Sequence, residues 1–304
     1  MVTADGPHCK AVGNSIAAPV MRWLAIELVQ RLHREGASCE RFSNRFFGAN
    51  VCFMRTQGIP GTSGEPLSLF RTDRLLKQHL AYPLAKGGDP TAAVELIQDL
   101  AAPLVEEAKR FGGGIIFVAP HAMEASGENA IPETPAAYLA HKLGTRDDVS
   151  IVQRNKVYHT GADAMERLIA LSEFVGAVEA GAQYVLVDDV STMGGTLADL
   201  SSYILTNGGQ VVGSVLLVNA ARSGKILPSI NTLRLLERRF GDEIRTTFGI
   251  EPAALTREEA EYLIGFRSVD ELRNRAVAAK QTRIERLRSK GIRVEEMSNS
   301  QGSP

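Results

Sequence analysis

The stretch Tyr184-Val185-Leu186-Val187-Asp188-Asp189-Val190-Ser191-Thr192-Met193-Gly194-Gly195-Thr196 decides the reading of this chain. Four residues with strand-forming side chains run into two adjacent carboxylates. A loop of small and hydroxyl residues then enters a helix expected from Leu197 to Thr206. In open α/β sheets ligands sit outside the carboxyl ends of the strands, which is where this loop falls. Gly194 and Gly195 permit close backbone approach, and the N–H groups ahead of Leu197 lie at the positive end of a helix dipole, suited to a phosphate. Thr192 and Thr196 add hydroxyl donors. Asp188 and Asp189, acceptors only when ionised, suit the hydroxyls of a sugar rather than its phosphate. The plain alternative is a strand followed by an ordinary turn. That alternative does not call for the acidic pair, both threonines and both glycines in this order.

Working outward, the flanking segments alternate between helix and strand. A helix expected from Thr91 to Arg110 leads through Gly112, Gly113 and Gly114 into the apolar run Ile115 to Ala119. Further segments read as a helix from Pro135 to Leu143, a strand from Val149 to Gln153 and a helix from Ala164 to Ala180. After the central loop and its helix, Asn207, Gly208 and Gly209 close into the run Gln210 to Asn219. Strands alternating with helices predict an α/β fold with a largely parallel sheet.

The ends read differently. Residues up to 18 lack aliphatic periodicity and are expected to be loosely held, whereas Val20 to Glu35 carries Trp23, Leu24, Ile26, Leu28, Val29 and Leu32 at helical spacing. Glycine and proline break up the stretch between Gly36 and Gly88, which yields no firm elements. Met1 to Lys86 holds eleven Lys or Arg against six Asp or Glu, a pattern that more often marks a solvated face than a nucleic-acid surface. In the tail, Thr256 with Glu259 and Ser268 with Glu271 have capping-box spacing. They announce helices over Ala260 to Phe266 and Leu272 to Lys290. Arg283, Arg286, Arg288 and Lys290 on the last of these read as a wet face, and Ser298 to Pro304 as disordered. The expected organisation is an N-terminal extension over 1–88, a core over 89–225 and a helical C-terminal extension over 226–304.

Bulk properties narrow the class. The 304 residues are 44% hydrophobic, enough for one large core, and the net charge of −1 creates no overall field toward nucleic acid or anionic membrane. Cys9, Cys39 and Cys52 have no metal-ligand spacing, and no secretory signal is read ahead of them, so the expected compartment is the cytoplasm. No apolar run nears the roughly 20 residues of a membrane span, so no membrane partner is expected.

The Tyr184 to Thr196 segment resembles the signature of the type I phosphoribosyltransferases, in which a hydrophobic strand, two acidic residues and a Thr/Gly-rich phosphate loop occur together. Met193 stands where threonine is more usual, losing a hydroxyl but no backbone donor. The resemblance covers Ile115 to Asn219, and the layout looks closest to the competence-protein-F-like branch because of the long loop that follows Ala119. It implies a parallel-sheet, Rossmann-like core binding phosphoribosyl pyrophosphate (PRPP). Asp188 and Asp189 would hold the ribose 2′- and 3′-hydroxyls. The backbone and side chains from Ser191 and Thr192 through Met193, Gly194, Gly195 and Thr196 would cradle the 5′-phosphate. Pro120 and His121 would lie in the pyrophosphate loop, and Arg154 and Lys156 in a mobile loop that closes over the developing pyrophosphate charge. An exposed basic surface loop is the bland reading of that last segment, and a helix-surface pair the bland reading of Arg167.

The implied activity is transfer of phosphoribosyl from PRPP to a nitrogen acceptor such as a nucleobase, with pyrophosphate leaving. A Mg²⁺ ion would be carried in with PRPP, and no dedicated metal cage is read from the sequence. The acceptor, a homodimer and a weakly supported nucleic-acid contact stay open. The rival reading is a PRPP-binding sensor or regulator without turnover, and a weaker one is a hydrolase on the same fold.

Overall fold

The computed structural model describes residues 55–121, 131, 133–155, 157–159 and 161–291. The expected helix over 20–35, all three cysteines, Lys156 and residues 298–304 lie outside them. Along the chain come β1 (Leu67–Phe70), α1 (Arg74–Gln78), α2 (Tyr82–Lys86), α3 (Pro90–Leu100), α4 (Ala102–Ala108), β2 (Ile116–Val118), α5 (Thr134–Leu143) and β3 (Arg146–Asp148). Then follow β4 (Val152–Gln153), α6 (Ala164–Ile169), β5 (Phe174–Val175), β6 (Gln183–Ser191), α7 (Gly195–Thr206), β7 (Gln210–Asn219), α8 (Ile230–Phe248), α9 (Arg257–Ile264) and α10 (Val269–Ser289).

Five strands form one sheet in the order β1-β7-β6-β2-β3, and every pairing in it is parallel. Such a sheet needs apolar cover on both faces. Alternation along β2 and β6 supplies it: Phe117, Val185 and Val187 join Leu96, Ile97 and Leu139 in one buried cluster, whereas Ile116, Val118, Tyr184 and Leu186 join Leu197, Leu200 and Ile204 in another. The α/β fold with a helical C-terminal extension is therefore the one observed.

Four expectations change in detail. β1 lies in the stretch read as an N-terminal extension, yet it pairs with β7 as an edge strand of the core sheet. The single helix expected over 91–110 is two, α3 and α4, because the turn at Ala101 precedes Pro103, whose ring occupies the first turn of α4. The strand expected over 149–153 is replaced by β3 in the main sheet and β4 in a separate antiparallel pair with β5. Between β3 and β4, Asp148 turns the chain by accepting from the Ser150 N–H at 2.8 Å. The helix expected over 164–180 stops at Ile169. The Ser172 N–H, which a longer helix would use internally, instead donates to Asp199 at 2.8 Å, and Gly176 follows at φ 132°.

A third apolar cluster unites the C-terminal helices with α6: Leu236, Phe240 and Ile244 of α8, Leu263 of α9 and Leu272 and Ala276 of α10 pack with Met165 and Leu168. The capping box at α9 forms as spaced, and Ser268 accepts from the Glu271 N–H at 3.1 Å.

This helical unit is tied to the core through Arg55, a fully buried side chain. Its Nε donates to Asp199 of α7 at 2.7 Å, and its two terminal nitrogens donate to Glu259 of α9 at 2.6 and 3.0 Å. Its backbone bridges Gly249 and Glu251 at 2.8 and 2.9 Å. Burial would lower the guanidinium's proton affinity, but the two carboxylates outweigh it and hold the charge in place. Burial pushes the Asp199 carboxyl up to about 6, against the pull of Arg55. Removing the cation would strand two buried acids. Arg55→Ala is therefore expected to cost about 3–5 kcal/mol of stability in urea denaturation; a loss below about 1 kcal/mol would contradict this placement.

Candidate functional site

Between neighbouring strands β2 and β6 the order of strand connection reverses, because β2 connects onward to β3 on one side and β6 to β7 on the other. Crevices at such reversals, outside the carboxyl ends, are where open α/β sheets receive ligands. Val118, the last residue of β2, pairs with Leu186, two residues before Asp188, so Pro120 and His121 lie beside the acidic pair. The two segments that the sequence singled out are thereby brought together.

Asp188 and Asp189 end the buried part of β6 and are both partly exposed. The Asp188 carboxylate accepts from the Asp189 N–H at 2.9 Å, and the Asp189 carboxylate from the Val190 N–H at 2.7 Å. These local bonds fix both side chains without a cation. Loss of surrounding water pushes the Asp188 carboxyl well above the ordinary carboxylate range, the Asp189 charge pushes it further, and Lys86 of α2 pulls the other way. Tyr82, on the same helix, has its hydroxyl raised by burial, with Asp189 adding to the shift. Neither Tyr82 nor Lys86 stood out in the sequence; the local excess of basic residues before Gly88 was the one signal pointing there.

The loop beyond the acids is built to present backbone. Ser191 and Gly194 are buried, whereas Thr192, Met193, Gly195 and Thr196 keep partial exposure. Gly194 caps α7 at φ 76°, a left-handed conformation that a side chain would strain, and no side chain caps this helix. The first-turn N–H groups of α7 thus have no side-chain acceptor at their Ncap. A Cβ on Gly195 would fall 2.8 Å from the Glu259 carboxylate, so the close approach at this glycine is made by α9 of the helical unit. Thr256 locks the loop from the same side by donating to the Met193 carbonyl at 2.6 Å. Arg167 of α6 donates to the Thr192 hydroxyl at 3.2 Å, a core-loop contact rather than the expected helix-surface pair.

The remaining candidates sit around this centre. The His121 ring donates from Nδ1 to the Ala119 carbonyl at 3.1 Å, with Glu133 3.8 Å from its other nitrogen. The Gln153 N–H donates to the His121 carbonyl at 2.7 Å, which ties the start of the basic loop to the end of β2. Arg154 is exposed and ion-paired with Glu173, whose carbonyl also receives its N–H at 2.7 Å. Lys156 lies outside the described residues. Among the described residues no three His, Cys, Asp or Glu side chains gather as metal ligands, and no helix is long and apolar enough to cross a membrane.

No protein-family model matches the chain. Protein TraN of Escherichia coli is 35% identical over 236 residues, which span 73% of this chain and 51% of TraN. An uncharacterized protein of Haemophilus influenzae is 39% identical over 139 residues, spanning 44% of this chain and 31% of its own. The chain therefore spans about half the length of TraN and about a third of the second relative, and neither bears the name of the competence-protein-F-like branch. Solved structures with similarity include the adenine phosphoribosyltransferase of Leishmania donovani, at 17% identity, TM-score 0.29 and coverage of 64% of this chain and 88% of that one. The orotate phosphoribosyltransferase of Aeropyrum pernix matches at 18% identity, TM-score 0.26 and coverage of 57% and 74%.

The electrostatics of the acidic pair give a pH test. Because the folded Asp188 carboxyl binds its proton more tightly than the unfolded one, whose pKa is about 3.9, wild-type stability falls as pH rises from there through the folded value. Asp188→Asn keeps the oxygen that accepts from Asp189 and removes the repulsion. It is expected to melt higher than wild type at about pH 8, with the gap closing toward about pH 4. Equal melting temperatures at both ends would refute the strain assigned to the pair.

Proposed function

We propose that this crevice binds PRPP and that the protein is a Mg²⁺-dependent phosphoribosyltransferase, passing phosphoribosyl to a nitrogen acceptor such as a nucleobase with release of pyrophosphate. The observation that carries this reading is the placement of Asp188 and Asp189, held by backbone N–H groups, one short loop ahead of a helix N-terminus without a side-chain cap, where the strand order of a parallel sheet reverses. Acids there suit sugar hydroxyls and the amides suit a phosphate, which together describe a phosphorylated sugar.

In this account Asp188 and Asp189 accept from the ribose 2′- and 3′-hydroxyls, which draw the pair apart electrostatically by giving each carboxylate a donor. The N–H groups from Thr192 to Thr196, with the two threonine hydroxyls, hold the 5′-phosphate. Sugar C1 is then presented toward β2, where Pro120 and His121 border the pyrophosphate. A nitrogen lone pair forms the new bond to C1 as the C1–O bond breaks with inversion, that bond's electron pair departs on pyrophosphate, and the nitrogen's proton passes to water. Arg154 would exchange Glu173 for the leaving group as the loop closes, and Lys156 is proposed to act beside it. The donor set fits a magnesium ion held chiefly by substrate oxygens and water, since among the described residues no three His, Cys, Asp or Glu side chains gather as metal ligands. When bound, the ion supplies neutralisation of the departing charge.

The double variant Asp188→Asn with Asp189→Asn is expected to fold and to lose PRPP affinity by about 100-fold or more in calorimetry, two charge-assisted hydrogen bonds being worth about 1.5–3 kcal/mol each. Unchanged affinity would remove the site. Pyrophosphate release with a panel of purines and pyrimidines separates the transferase from a PRPP-binding sensor, which would bind without turnover.

A further inference from the structure

The loop after β4 passes under three arginines. Val157, Tyr158 and His159 give up successive carbonyls to Arg283 at 3.4 Å, Arg286 at 3.0 Å and Arg167 at 3.1 Å. Three guanidinium groups from α6 and α10 thus meet over three residues. Tyr158 itself is held at φ 53°, and among the described residues it is the sole non-glycine with positive φ. That left-handed backbone is strained for a tyrosine, and such strain gathers where a loop is held for a task.

Charge in this cluster does not balance. Glu166 is buried and pairs with Arg286 at 2.6 Å, and Asp163 pairs with Arg275 at 2.5 Å. Arg167 and Arg283 have no carboxylate within ion-pair distance among the described residues, sharing Glu166 only at longer range. Burial weakens the proton affinity of both, and the neighbouring Arg286 charge weakens it further. The Arg283 Nε is enclosed without a hydrogen-bond partner among the described residues. His159 cannot take up the slack: burial lowers its ring to about 4, so it stays neutral, and its Nε2 donates to the Ala170 carbonyl at 3.0 Å. Half-buried guanidinium groups without counter-charge are costly, and an arriving anion would offset that cost.

One member of the cluster reaches the proposed phosphate cradle, since Arg167 also donates to Thr192 at its edge. We infer that Arg167 and Arg283, held by the His159 and Val157 carbonyls, form an anion subsite that takes a phosphoryl group delivered beside Thr192. Planar guanidinium forks match phosphate oxygens in pairs, which a lone lysine would not. The anion class rests on the arginines alone; that the phosphoryl group belongs to a ribose rests on the function proposed above. The last helix, whose basic residues read in the sequence as a wet face, thereby contributes Arg283 to a ligand.

The test uses wild-type protein first. Phenylglyoxal labelling, mapped by peptide mass spectrometry, is expected to show Arg167 and Arg283 shielded at least 5-fold by ribose 5-phosphate, with inorganic phosphate shielding them only at higher concentration. Shielding by inorganic phosphate alone would keep the anion subsite and remove the ribose. Shielding by neither would overturn the inference. In parallel, Arg167→Gln with Arg283→Gln is expected to weaken ribose 5-phosphate binding about 10-fold or more, and Lys at both positions to restore part of it. A folded double variant with wild-type affinity would assign the arginines to loop support only and overturn the subsite, while leaving PRPP binding by wild type intact as evidence for the transferase. Conversely, shielding by phosphate in a protein that fails to bind PRPP would keep the subsite and sink the transferase.

Discussion

One buried cation connects the parts on which the site depends. Arg55 bridges Asp199 in the first turns of α7 and Glu259 at the start of α9. Both carboxylates carry further duties, Asp199 taking the Ser172 N–H and Glu259 the Thr256 N–H. Because Thr256 in turn holds the Met193 carbonyl, the loop ahead of α7 is braced from behind by the C-terminal helices. A buried cluster of this kind adds little net stability over apolar packing, but each member becomes costly to lose, which favours one arrangement over its neighbours. The loop ahead of α7 gains a fixed shape by that constraint, and fixed donors of the kind proposed there bind anions without a cost of reorganisation.

The acidic pair works in the opposite sense. Two carboxylates side by side, with little water around the first, act against the folded state once ionised, and Lys86 answers them only in part. Groups placed against their own stability in this way are retained where a ligand completes them. Hydroxyl donors of a sugar would do so. The arginines around the Val157–His159 loop are a second unbalanced set, of opposite sign, joined to Thr192 through Arg167. In the proposed site, acids on one side and guanidiniums on the other would give a polarity suited to a sugar phosphate.

Much of the core could be read from local signals. β6, its loop and α7 were legible because an apolar run, a carboxylate pair and glycines fall together, and β7 because its long apolar run follows a glycine pair. The cap at Thr256 was legible from spacing. What escaped was decided at long range. β1 has only four residues and becomes a strand by pairing with β7, far along the chain. α6 ends early because a backbone N–H at Ser172 goes to Asp199, 27 residues away. Arg167 and Arg283 looked like surface charge because helical spacing does not reveal which face a neighbouring loop will cover. Tyr82 and Lys86 reach the acidic pair through the packing of α2 on the core, which glycine-rich sequence around them concealed.

The central claim is that Asp188 to Thr196 grips a sugar phosphate. Amide hydrogen exchange across the whole chain, with and without PRPP and magnesium chloride, tests it most directly. The account predicts that protection rises first and most in the peptides covering residues 188–196, with a smaller rise over 118–121. Binding that leaves those amides unchanged, and protects another face instead, would contradict it.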